Sequence, residues 1–359
     1  MSILRPARLA LTTATVVLAA LLAACQEAPP PAAPPPVVVA PPPPPPIGLA
    51  NEVTEQAAAY QGYMARAMAV SPAFRNGDEI QDAVRLGAAY EPQQRMGGAI
   101  AYAAVVALQD PAFVSGVRTY VTDPAQRRQV AAAIMADPAY VVGIKGSDSA
   151  AGMITDALTT QGFKVYNAGR AAKIAAYDIQ RQNWSKAQVI DQPGRLARAK
   201  LLSTQAIRGT TDDAARLQLA STGATPLGLT PRTSKPPYSP LVIRGLAVAA
   251  LAALGEAGDQ RIESIRPLLN DGNTGRCLSM SKLNLYQCLA VAKPHYEDVF
   301  CLGQHILMET GQCMIKAAGG PTPIEIYPRD FDVKTAIAAA KKPLMKASTP
   351  KRKAPAKKG

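Results

Sequence analysis

The chain has 359 residues, 39 Lys and Arg against 26 Asp and Glu, and a formal charge of +13. Hydrophobic residues make up 48 %, which excludes an intrinsically disordered chain, and five cysteines in this length exclude a disulfide-dense miniprotein. Alanine is abundant, aromatics are only 5 %, and Gly and Pro fall mostly between periodic stretches, so the expected fold class is all-α.

Arg5 and Arg8 precede an apolar run at 9–22, broken only by Thr12, Thr13 and Thr15. The run falls short of the roughly 20 residues that span a bilayer. It reads as a signal peptide, residues 1–24, set aside from fold reasoning. The run ends in Leu22-Ala23-Ala24-Cys25. These residues resemble the lipobox of bacterial lipoproteins. The resemblance implies that Cys25 receives a diacylglyceryl thioether, becomes the first residue after cleavage, and is acylated (palmitate) on its amine. A thiol is the nucleophile such a transfer needs. Three acyl chains exceed the two signals that stable anchoring takes. The alternative is an ordinary signal peptide with an incidental cysteine. Gln26 follows, where an Asp in enteric bacteria retains lipoproteins at the inner membrane. Its absence resembles an outer-membrane sorting signal, with the body facing the periplasm.

Residues 25–50 then form the anchor and a tether, with proline runs at 29–31, 34–36 and 41–46. Such sequence favours polyproline II at roughly 3.1 Å per residue, so it reaches on the order of 50 Å. A spacer is the functional reading, and a linker under no length constraint is the plain one.

A helical domain is expected over 51–208. One helix is predicted over 57–70. Four starts share one chemistry, at Ser71-Pro72, Asp110-Pro111, Asp123-Pro124 and Asp137-Pro138. In each the first residue can cap orphan N–H groups, and Pro at the first helical position loses nothing. The stretch 99–108 is apolar all round and predicts a central buried helix, with Gly97 and Gly98 allowing close approach. A longer helix is predicted over 163–192, with Ala172, Ala175, Ala176 and Ile179 on its buried face and Lys173 and Arg181 elsewhere. Trp184 is expected as a packing anchor rather than a sugar-stacking platform. The Gly- and Pro-punctuated stretch 209–240 reads as a connecting loop. Residues 241–254 predict an apolar helix, a core element in one reading and a docking surface in another.

The most specific feature lies at 277–313, within a helical segment expected over 241–330. Cys277, Cys288, Cys301 and Cys313 accompany Pro294, and Cys277-Leu278 and Gln287-Cys288 are echoed by Cys301-Leu302 and Gln312-Cys313. In an exported chain, four thiols imply two disulfides. Cysteines eleven apart on one helix share a face but sit too far apart to bond. Two antiparallel helices joined at Pro294 would pair Cys288 with Cys301 and Cys277 with Cys313. Two small loops, Cys277–Cys288 and Cys301–Cys313, are the rival arrangement. The spacing is similar to that of coiled-coil-helix–coiled-coil-helix hairpins, though the second gap is longer here. No ligand spacing for a metal and no cofactor motif is present.

For catalysis, Ser279-Met280-Ser281-Lys282 has the SxxK form of penicillin-binding proteins and class A β-lactamases, without their further motifs. His295, near Glu297 and Asp298, and His305 are the only histidines. Neither points to an enzyme. The basicity is a tail property: eight cations lie in 341–359 with no acid, and two in the signal, leaving 29 against 26 acids. Lys341, Lys342, Lys346, Lys351, Arg352, Lys353, Lys357 and Lys358 make residues 331–359 a basic, largely disordered tail suited to anionic surfaces. The expected function is thus a non-catalytic scaffold or binding role in the cell envelope. Peptidoglycan, lipopolysaccharide or outer-membrane proteins are its expected partners, nucleic acid is not, and a cell-wall enzyme or an accessory subunit of an outer-membrane complex are the alternatives.

Overall fold

The computed structural model describes residues 43–325. The signal peptide, the lipidation at Cys25, the tether before residue 43 and the tail cations from Lys341 to Lys358 lie outside the described residues. Among those described, the secondary structure is helical, with thirteen α-helices and no strand beyond one isolated bridge, Gln188 to Pro294.

Capping sets most of the boundaries. Helix α1 spans Asn51–Met68. The expected start at Ser71 is not a helix: Ser71 Oγ accepts only from the Ala73 N–H. The start lies at Asn76 instead, which accepts from Glu79 N while Glu79 reaches back to Arg75 N, a reciprocal cap stronger than a lone serine. Helix α2 follows as Gly77–Ala88, and α3 as Pro92–Leu108. The three Asp-Pro starts behave as read. Asp110 caps α4, Pro111–Arg118; Asp123 caps α5, Pro124–Ala136; Asp137 caps a 3-10 turn, Pro138–Gly143.

Helix α6, Ser147–Ile179, has 33 residues, begins well before the predicted 163 and ends well before the predicted 192. Its alanine face at 172, 175, 176 and 179 is buried, and so is Lys173, which reaches Gln304 and Glu325. Trp184 packs half-buried against the core from a short 3-10 turn. Helix α7 is Gln192–Leu202. The stretch 209–240 is not wholly a loop, because Thr210 caps α8, Thr211–Ser221, and Leu217 and Ala220 bury its apolar side. Helix α9, Pro240–Ala253, is buried at eleven positions. It is therefore core, and no apolar face of it is left for docking. The short α10, Ile262–Ile265, precedes α11, Gly272–Val291. Then come α12, His295–Cys301, a π-helical turn over Leu302–Met308, and α13, Glu309–Ala317.

Helix α3 lies at the centre. Every residue from Arg95 to Leu108 is buried. Small side chains let its neighbours close in: a Cβ on Gly98 would stand 2.6 Å from Gln56 O on α1, and one on Gly245 of α9 would stand 2.6 Å from the Ala103 Cβ. Among the described residues no single helix is long and apolar enough to cross a membrane.

Helix α6 carries the C-terminal hairpin along a seam of glycines. A Cβ on Gly169 would meet Met308 N at 2.5 Å, and one on Gly311 would meet Gly162 O at 2.7 Å. These contacts are backbone, which cannot rotate aside. Gly169→Ala is therefore expected to destabilise by about 1–3 kcal/mol despite alanine's better helix propensity. Gly143→Ala, with nothing near its Cβ, is expected to be near neutral. Urea unfolding of the two variants checks this.

Candidate functional sites in the hairpin and the buried core

The four cysteines pair as Cys277–Cys313 and Cys288–Cys301, each with Cα atoms 5.7 Å apart. The two-small-loop arrangement does not form. Asp271 opens α11 by accepting from the Asn273 and Thr274 N–H groups, and Pro294 turns the chain into α12. The unequal gaps have a structural answer. Cys277 and Cys288 are eleven residues apart, close to three α-helical turns, whereas Cys301 and Cys313 are twelve apart. On a regular α-helix twelve residues would swing the second cysteine roughly 100° further round. The π turn between them takes up the extra residue, so both cysteines face α11. The same turn keeps Gly303 and Gly311 facing α6.

The hairpin is joined to the body by a buried ion pair. Arg195 Nη1 meets Asp298 Oδ1 at 2.5 Å, with side chains 2 % and 0 % exposed. Gln81 donates to the other carboxylate oxygen at 2.7 Å, and Arg195 also donates to the carbonyls of Leu289 and Ala292. Burial pushes the Asp298 carboxyl up, and Arg195 opposes this. Asp298 is thus committed to Arg195 and Gln81. The His295 ring fills the space beside Gly77. His305, on the π turn, meets Glu309 at 2.7 Å. Burial pushes the Glu309 carboxyl up, but hydrogen bonds from His305, Asn284 and Gln304 outweigh it and hold the group below its ordinary value.

The SxxK residues do not form a pair. Ser279 Oγ donates to Gly275 O. Lys282 points elsewhere, donating to Ala88 O and to Ser203 Oγ at 2.9 Å, with its ammonium 3.5 Å from the centre of the Tyr90 ring. Ser203 and Lys282 are both buried, so this contact is closed to a substrate. The Arg95 guanidinium stands 4.1 Å from the Tyr63 ring centre and 4.8 Å from that of Tyr90. Two basic side chains therefore share an aromatic box in the core. The sequence reading missed them. A signal existed for Lys282, which completes the spacing Leu278, Ser281, Lys282, Leu285, Leu289, all buried. Arg95 carried none beyond its place at the head of an apolar run.

Burial, and then the charge of Arg95, lower the Lys282 ammonium to about 6, against a raising effect of Glu91. The unfolded chain therefore binds a proton that the folded chain lacks between about pH 6 and the ordinary lysine value. In that window stability rises with pH. Lys282→Met is expected to remove this upward slope, read from denaturant unfolding at a series of pH values.

Two open grooves flank these elements. One, of about 400 Å³, runs beside Cys288–Cys301 and is lined by Tyr177, Val291, Tyr296 and Phe300. The other, of about 720 Å³, lies between the end of α1 and α2 and is lined by Arg66, Phe74, Arg75 and Glu79. Comparison with known proteins adds no family: no family model matches this chain, and no curated protein or solved structure matches it.

Proposed function

We propose that the chain is a cell-envelope lipoprotein with a non-catalytic scaffold or binding role. Lipid on Cys25 anchors it, the proline-rich tether holds the helical body off the membrane, and the basic tail contacts peptidoglycan or an anionic envelope surface. The observation that carries this reading is the pairing of Cys277, Cys288, Cys301 and Cys313 into two disulfides. Such bonds persist in oxidising compartments, the kind of place the signal and lipobox would send the chain. The separation of the SxxK residues supports the non-catalytic part: Ser279 Oγ donates to Gly275 O, while Lys282 is buried against Ala88 O and Ser203.

The test is co-sedimentation of the non-lipidated chain with purified cell-wall sacculi, with and without residues 341–359, across a salt series. The expected result is binding that needs the tail and falls with salt, because eight clustered cations act electrostatically. Binding that survives removal of the tail would move the contact to the helical body. Absence of binding in both forms would refute the cell-wall contact.

A further inference from the structure

We propose that the core binds one small monatomic anion, of halide size, in the cavity between α1, α3 and Ile207, held by Arg95 and Tyr60.

The cavity is lined by Tyr60, Tyr63, Tyr90, Gln94, Arg95 and Ile207 and has a volume of about 10 Å³. That is room for the centre of one water-sized particle. Sulfate and phosphate are too large for it.

Its polar lining is one-sided. Arg95 is 3 % exposed, and its Nη2 group meets only the Met64 sulfur, a weak acceptor, at 3.5 Å. Its Nε and Nη1 groups have no hydrogen-bond partner among the described residues, and neither has the hydroxyl of Tyr60, which is 1 % exposed. Two further polar groups of the lining are engaged within the protein. Gln94 exchanges two hydrogen bonds with the Ile207 backbone, and the Tyr63 hydroxyl donates to Gly87 O. The unpartnered groups of Arg95 are donors only, so the complementary occupant is an acceptor toward the guanidinium.

The charge balance points the same way. Arg95 and Lys282 are both buried, and among the described residues neither forms an ion pair with a carboxylate. The titratable groups around them are Tyr63, Tyr90 and Glu91, and the Glu91 carboxylate is already engaged as the α3 cap. A buried guanidinium with no counter-charge is costly, and an enclosed anion supplies that charge. The anion would also oppose the effect of Arg95 on Lys282 and raise the proton affinity of that lysine.

The experiment is thermal unfolding of the full mature chain in a bromide series at constant ionic strength, balanced with sulfate. Ligand that binds only the folded state raises Tm by mass action. The expected result is a rise in Tm with bromide that is saturable in the wild type, weaker in Tyr60→Phe and absent in Arg95→Met. A Tm that tracks only the bulk salt, the same in wild type and Tyr60→Phe, would overturn the proposal. Anomalous scattering from wild-type crystals grown in bromide gives a second reading that does not depend on the folding of Arg95→Met. A bromide peak beside Arg95 and Tyr60 supports the site, and peaks confined to the surface, an adventitious ion only, overturn it.

Discussion

Replacing Arg195 with methionine destabilises the protein by about 3–5 kcal/mol, because the substitution strands a carboxylate in the interior. Asp298 is 0 % exposed, and its partners are Arg195 and Gln81. Without the guanidinium, one amide donor is left to solvate a full charge. The carbonyls of Leu289 and Ala292, which close α11, lose their donor at the same time. The cost comes from leaving one member alone rather than from the worth of the pair. The paired substitution Arg195→Met with Asp298→Leu is therefore expected to lose much less than Arg195→Met alone. Urea unfolding followed by circular dichroism measures all three proteins. Equal losses in the single and double variants would show that the two residues do not act as a unit.

The second large effect is loss of the disulfides. Cys277–Cys313 closes a separation of 36 residues and Cys288–Cys301 one of 13. Chain-entropy reasoning puts their contributions at about 4 and about 3 kcal/mol. Cys277→Ser with Cys313→Ser is thus expected to be the more damaging pair, although Cys288–Cys301 lies nearer the turn. Unfolding of the two double variants under oxidising conditions, with free thiols counted by mass spectrometry, gives the ranking. A larger loss from the 288–301 pair would mean that folded-state packing, not loop closure, dominates.

The all-α class and the cysteine pairing were legible because both rest on local, repeating signals. Asp-Pro caps and alanine-rich runs define helices without reference to distant residues, and a turn at Pro294 leaves few ways for two helices to meet. The boundaries of α6 were less legible. Ala150, Ala151 and Ile154 continue its buried face, but Gly152 and Gly162, poor helix formers, interrupt the stretch ahead of residue 163. In the folded chain Gly152, Gly162 and Gly169 are all places where another backbone touches the helix, the last two against residues more than 130 positions away. Helix α8 was hidden for a related reason: its eleven residues sit in a stretch dominated by glycine and proline on its C-terminal side. The twelve-residue cysteine gap was visible, but a π turn leaves no composition signal. The Arg95 and Lys282 cluster was out of reach because it joins α3, α11, the end of α2 and Ser203, four segments that no single periodicity connects.

The proposed anchor and membrane both rest on lipid at Cys25. The most direct test is labelling with radioactive palmitate in a bacterial host, comparing the full chain with Cys25→Ser and fractionating the membranes. The account predicts label in the wild-type protein, recovered with the outer membrane, and none in Cys25→Ser. A wild-type protein that is exported without label, or a Cys25→Ser protein that still carries it, would contradict the lipoprotein reading.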